Sequence, residues 1–196
     1  MGVILSICMT IIIPIHARGD ILGVFLCLLY GFSNIFLFLS STLTHSQRKT
    51  EIGQGIWLKL DKIGIFFLIA GTYSVMSYYY LPTVWSLGMI IAQWVFVSLG
   101  TVLTLFDFKV PRWATASIYL IQGWMIILGI NIMFSTMQTT DFTLMLAAGI
   151  AYSGGAIFYI TKKPKLWPGK FGPHDLWHVC VLIGAILFFI AVIRIV

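Results

Sequence analysis

Apolar residues run through this chain in seven blocks of roughly membrane-crossing length, near residues 1–17, 21–45, 60–80, 83–106, 112–134, 142–161 and 175–196. About 20 helical residues cross a hydrocarbon core, and a segment that leaves water must satisfy its backbone N–H and C=O groups within a helix or a closed barrel. Barrel strands would be half as long and would alternate apolar with polar residues, which these blocks do not. The pattern predicts an all-α integral membrane protein, a seven-transmembrane-helix bundle forming a single domain over 1–196. Composition agrees, with 60% hydrophobic and 9% charged residues, where a soluble domain is roughly a quarter charged. Polar breaks separate the blocks, and Pro82, Pro111, Pro164, Pro168 and Pro173 fall in them, where a residue unable to continue a helix belongs. The first block begins at Met1 and is short, or shortened at its start; without a positive n-region it reads as a membrane segment rather than a cleaved signal.

Twelve Lys and Arg against six Asp and Glu give a net charge of +6. With so little soluble surface, this excess reads as topology rather than as nucleic-acid affinity. The breaks after blocks two, four and six carry Arg48, Lys49, Lys59, Lys62, Lys109, Arg112, Lys162, Lys163, Lys165 and Lys170, and the other breaks carry only Arg18. The positive-inside rule then makes the even breaks cytoplasmic, with the N-terminus inside and the C-terminus outside. Trp57, Trp113, Trp167 and Trp177 fall near that same face as an aromatic belt would, with Trp85 near the other. Cys8, Cys27 and Cys180 are scattered through apolar runs and form neither a disulfide framework nor a CxxC metal site.

Against this background the histidines stand out. His174 and His178, in GPHDLWHVC, are one helical turn apart, so both imidazoles leave one helix face and can reach one ion at the Zn–N distance of about 2.0–2.1 Å. His45 closes block two in SSTLTHS, with Ser41 four residues before it, and Asp61 opens block three in KLDKIG. By the helix count all of these lie at the cytoplasmic boundary. Two readings stand: a three-histidine metal site, or interfacial histidines bonded to water and headgroups, with Asp61 a first-turn charge or a partner of Lys59 or Lys62 and Ser41 a helix-packing hydroxyl. Asp175 points off the histidine face and is expected to cap the last helix. Asn34, Gln93, Gln122 and Asn131 are expected to bond between helices.

The runs SSTLTHS, LDKIGIFFLIAGTYS and AYSGGAIFYITKKPKLWPGKFGPHDLWHVCVLIGA together resemble the haemolysin III family, bacterial relatives of the progestin and adipoQ receptors, which include the adiponectin receptors. The resemblance implies Zn2+ held by His45, His174 and His178, with Asp61 and Ser41 close to the metal or its water. It also implies seven helices with the N-terminus inside, in a bacterial-type plasma membrane. Thr44 departs from it, standing where an aromatic is common. With no ligand-binding extension expected from these residues, hormone recognition of the adiponectin-receptor kind is not among the expectations. Three neutral imidazoles leave zinc a fourth position at which water is acidified; Asp61 would orient that water or act as general base, and Ser41 would hydrogen-bond the water or a developing oxyanion. The leading expectation is a zinc-dependent hydrolase of lipid amides or esters, ceramidase-like, with membrane lipids as partners or substrates. The alternatives are a haemolytic pore in which zinc is a structural clip, and a receptor-like membrane-stress sensor. The basic run KKPKLWPGK reads as topogenic, or as a contact for anionic lipid.

Overall fold

The computed structural model describes residues 2–17, 20–46, 51–106, 108, 110–164 and 172–196, without the side chains of residues 51–54, Arg112 and His174. Arg18, Arg48, Lys49, Lys109, Lys165, Trp167, Pro168 and Lys170 therefore lie outside the described residues.

Among the described residues the chain is helical throughout: α1 Gly2–His16, α2 Ile21–Ser46, α3 Glu51–Tyr80, α4 Thr83–Leu105, α5 Arg112–Gly123, a 3-10 turn Met125–Gly129, α6 Ile130–Thr136, α7 Thr139–Thr161 and α8 Pro173–Ile195. Six stretches are long and apolar enough to span a membrane: Ile21–Ser46, Gly55–Tyr80, Thr83–Leu105, Trp113–Thr136, Thr139–Thr161 and Asp175–Ile195. The seventh apolar helix, α1, has 15 residues, about 22 Å of rise. Helix α3 begins at Glu51, well before the expected 60, because hydropathy marks where a helix enters lipid and not where it starts. The fifth block is not one helix: α5 gives way to the 3-10 turn after Gly123, and α6 resumes after Gly129.

The described structure divides into two compact units, Met1–Lys109 with Ile195–Val196, and Val110–Arg194. In the first, α3 is the most enclosed helix, with 72% of its apolar window buried. It packs antiparallel to α2 at glycines: a Cβ on Gly64 would lie 2.9 Å from the Leu37 Cα, and one on Gly71 would lie 2.6 Å from the Ser33 hydroxyl. In lipid, where apolar helices gain nothing by leaving their solvent, such close backbone approach supplies the contact. Because Gly64 meets backbone, Gly64→Val is expected to cost about 1–3 kcal/mol of overpacking, visible as a lowered unfolding midpoint in detergent. An unchanged midpoint would mean that α2 and α3 are not in this contact.

Polar groups hold the helix ends. The Gly23 N–H donates to the Asp20 carboxylate at 3.0 Å, capping α2. That bond first, and the Tyr78 hydroxyl second, hold the Asp20 carboxyl below the usual carboxylate range; the cap is thus intact above that range and is lost as pH falls through the lowered value. The Lys59 ammonium donates to the Leu105 carbonyl at 3.3 Å, at the negative end of the α4 dipole. Trp94 donates its indole N–H to the Ser74 hydroxyl at 3.1 Å, tying α4 to α3.

The second unit contains a glycine–aromatic zipper between α7 and α8. A Cβ on Gly155 would lie 2.8 Å from the Trp177 ring and one on Gly184 would lie 2.7 Å from the Tyr152 ring, while Tyr152 stacks on Phe188 and Tyr159 meets Trp177 at 4.3 Å between centroids. Trp177, half-buried, is thus held in this zipper, while Trp113 is 63% exposed. At the far end of the zipper the Arg194 guanidinium donates to buried Asp141 at 2.5 Å and to Gln138 at 3.3 Å. Asp141→Asn removes one charge from this pair, and its expected cost is about 1.5–3 kcal/mol, read as a fall in thermal midpoint; a fall no larger in wild type than in an Arg194→Gln background would dismiss the pair.

Candidate metal centre

Helix α2 brings hydroxyls to its C-terminal end in the run SSTLTHS. Ser40, Thr42, Thr44 and Ser46 each return a hydroxyl to a carbonyl three or four residues back, at 2.7–3.2 Å, which lets a polar run remain helical. Thr44 is thereby absorbed by its own helix. Ser41 continues the stripe of Tyr30, Ser33 and Leu37 that faces α3, one turn beyond Leu37, and is 7% exposed. On α3, Asp61 stands one turn before Gly64 and is also 7% exposed. Because Gly64 opposes Leu37, the antiparallel register brings Ser41 and Asp61 to one level of the α2–α3 seam. His45 follows one turn beyond Ser41, half-buried. Asp61 and His45 both have interactions within the fold.

In the second unit, α8 opens on Gly172-Pro173-His174-Asp175. Pro173 stands at the first helical position, where its missing N–H costs nothing, and Asp175 accepts the Gly172 N–H at 2.8 Å. That is the acidic half of a capping box, the role expected of Asp175. His174 lies in the first turn, with its side chain outside the described residues. His178 follows one turn on, half-buried, its ring 15° from the plane of Trp177. Among the described residues, no group of three His, Cys, Asp or Glu side chains is assembled to hold a metal. As a donor set, three imidazoles suit zinc, copper, iron or nickel rather than magnesium or calcium.

Of the polar residues expected to bond between helices, Asn34 instead donates to the Tyr30 carbonyl of its own helix at 2.9 Å, and Asn131 is exposed. Gln93 and Gln122 are wholly buried. Two groups escaped sequence reasoning. Trp124 donates to the Ser153 hydroxyl at 3.0 Å, joining the end of α5 to α7, and Arg194 pairs with Asp141 across more than fifty residues. Only an acidic residue opening one apolar block and a basic residue closing another hinted at the second.

A family model described as "Haemolysin-III related" matches residues 1–189. The chain belongs to the haemolysin III family. It is 36% identical to Hemolysin-3 of Bacillus cereus over 197 residues, covering 98% of this chain and 86% of the relative. With the Hemolysin-3 homolog of Bacillus subtilis (strain 168) it shares 31% identity, over 98% of this chain and 88% of the relative. It also resembles the Adiponectin receptor protein of Drosophila melanogaster, 30% identical over 86% of this chain and 39% of the receptor. This haemolysin III chain is therefore a multi-pass integral membrane protein with kinship to adiponectin receptors.

Proposed function

We propose that this haemolysin III protein is a zinc-dependent hydrolase of lipid amides or esters, ceramidase-like, with His45, His174 and His178 as the metal ligands. The observation that carries the reading is the α2–α3 seam, where buried Ser41 and Asp61 share a level one turn from His45. A carboxylate and a hydroxyl kept from water beside an imidazole are expensive in a membrane, and ionisable groups retained there are functional by default. The chain alternates through seven helices with the N-terminus inside, in a bacterial-type plasma membrane. That topology puts the end of α2 and the start of α8 on the cytoplasmic side of the membrane.

His45, His174 and His178 would hold the zinc, which when bound would supply a Lewis acid for the water and the carbonyl. Asp61 takes the proton of the attacking water and carries it to the leaving amine as the C–N bond breaks and the new C–O bond forms. Ser41 donates a hydrogen bond to the carbonyl oxygen as its charge develops.

Purified, metal-loaded protein should release fatty acid from a lipid amide, and His178→Ala should abolish that release. No turnover of any lipid amide or ester, or equal turnover by His178→Ala, would end the hydrolase reading. A second reading follows from the name of the Bacillus relatives, Hemolysin-3: a pore in which zinc only joins helices. Liposome conductance that survives Asp61→Asn, without turnover, would favour it, although helices with few lining charges make a poor aqueous channel.

A further inference from the structure

We propose that Trp177 is a positioning residue for His178: its indole, wedged against Gly155 and Tyr159 of α7, sets the plane in which the imidazole stands. This inference rests on the zinc reading above and adds a residue that touches no substrate.

Three observations converge. The indole centroid lies 4.3 Å from that of Tyr159, with the rings tilted by 51°. A Cβ on Gly155 would stand 2.8 Å from the indole Cδ1 and 3.0 Å from the Cys180 Cβ, so the missing side chain at Gly155 is what admits Trp177. The His178 ring then lies within 15° of the indole plane, centroid to centroid 5.8 Å. Successive side chains of a helix leave at widely different angles and do not face each other, so this near-parallel alignment is not imposed by helical periodicity. The second ring torsion of histidine is broad and soft. A fixed wall beside it narrows the directions in which its nitrogens point.

Direction is what a metal ligand needs. Contacts that orient ligating imidazoles are worth about ten- to a hundredfold in metal affinity. An aromatic face held by the neighbouring helix adds an orienting surface of this kind beside the His178 ring. Gly155 and Tyr159 thus act on the site through the indole, from a helix that carries no proposed ligand.

The test uses the full chain in detergent. Zinc affinity is measured by competition with a chromophoric chelator, and ligand geometry by the visible spectrum of the Co2+-substituted protein. Trp177→Phe keeps a ring against Gly155 and should bind zinc within a few-fold of wild type. Trp177→Leu should weaken zinc about ten- to a hundredfold and shift the Co2+ bands, with the helical circular dichroism unchanged. Should Trp177→Leu fail to fold, Tyr159→Leu removes the clamp on the indole and should move both readouts in the same direction. Wild-type affinity and spectrum in Trp177→Leu, or in Tyr159→Leu if that variant must stand in, would overturn the positioning role while His178→Ala still loses zinc. If wild type binds no zinc, or His178→Ala binds it equally well, the metal reading falls and takes this role with it.

Discussion

Replacing His45 with alanine is expected to take the zinc content of the purified protein from about one ion per chain to almost none. Three imidazoles make a catalytic zinc site with an open position; two, one turn apart on a single helix, leave half the coordination to water. Affinity should fall by well over an order of magnitude, since even a supporting contact is worth about tenfold or more. His45 stands one residue before the end of the 26-residue α2 and is half-buried, so alanine there should leave the helix and its seam with α3 in place. Metal analysis beside circular dichroism separates loss of the ion from loss of the fold. Stoichiometric zinc in both proteins would show that His45 is no ligand, and none in either would remove zinc from the function altogether.

The second large effect is catalytic. Asp61→Asn keeps the shape of the side chain and removes its capacity to take a proton, so lipid amide turnover is expected to fall about 10²–10⁴-fold, the usual weight of a general base. Zinc content should stay at the wild-type level. Ser41→Ala is expected to cost less, about tenfold, the worth of one hydrogen bond of about 1–1.5 kcal/mol. The order of the two effects matters as much as their size: a Ser41 effect exceeding that of Asp61 would reverse their roles. If Asp61→Asn instead releases the metal, Asp61 is a ligand and the proton must be carried elsewhere.

Much of the scaffold was legible because its signals are local. Pro82 and Pro111 stand immediately before α4 and α5, and Pro173 opens α8, as the rigid ring and missing N–H require. Asp175, expected to cap because it points off the histidine face, accepts the Gly172 N–H at the start of α8. The four-residue spacing of Ser41 and His45, and the place of Asp61 at the start of an apolar block, put each on the expected helix. That Ser41 and Asp61 share a level needed the contacts of Leu37 with Gly64, because register between helices is set by which small residues admit which neighbours. The break between Gly123 and Gly129 carries no proline and leaves hydropathy untouched, so nothing in the apolar pattern marked it. The same blindness hid the zipper of Gly155, Gly184, Tyr152 and Trp177: an apolar count treats a glycine in a membrane helix as filler, when its value is the space it leaves.

The pairing of Arg194 with Asp141 also bears on how the protein enters its membrane. These residues lie at the end of α8 and the start of α7, and the pair requires both to reach the same membrane face. A lone arginine crossing the bilayer, or a lone aspartate held in it, meets a barrier of about 2.5–3.5 kcal/mol at the centre even by lenient scales. Travelling together, the two helices present a neutral tip. The charge that Arg194 would carry alone at the end of α8 is thus cancelled by α7, and the two helices meet the membrane boundary as a neutral pair.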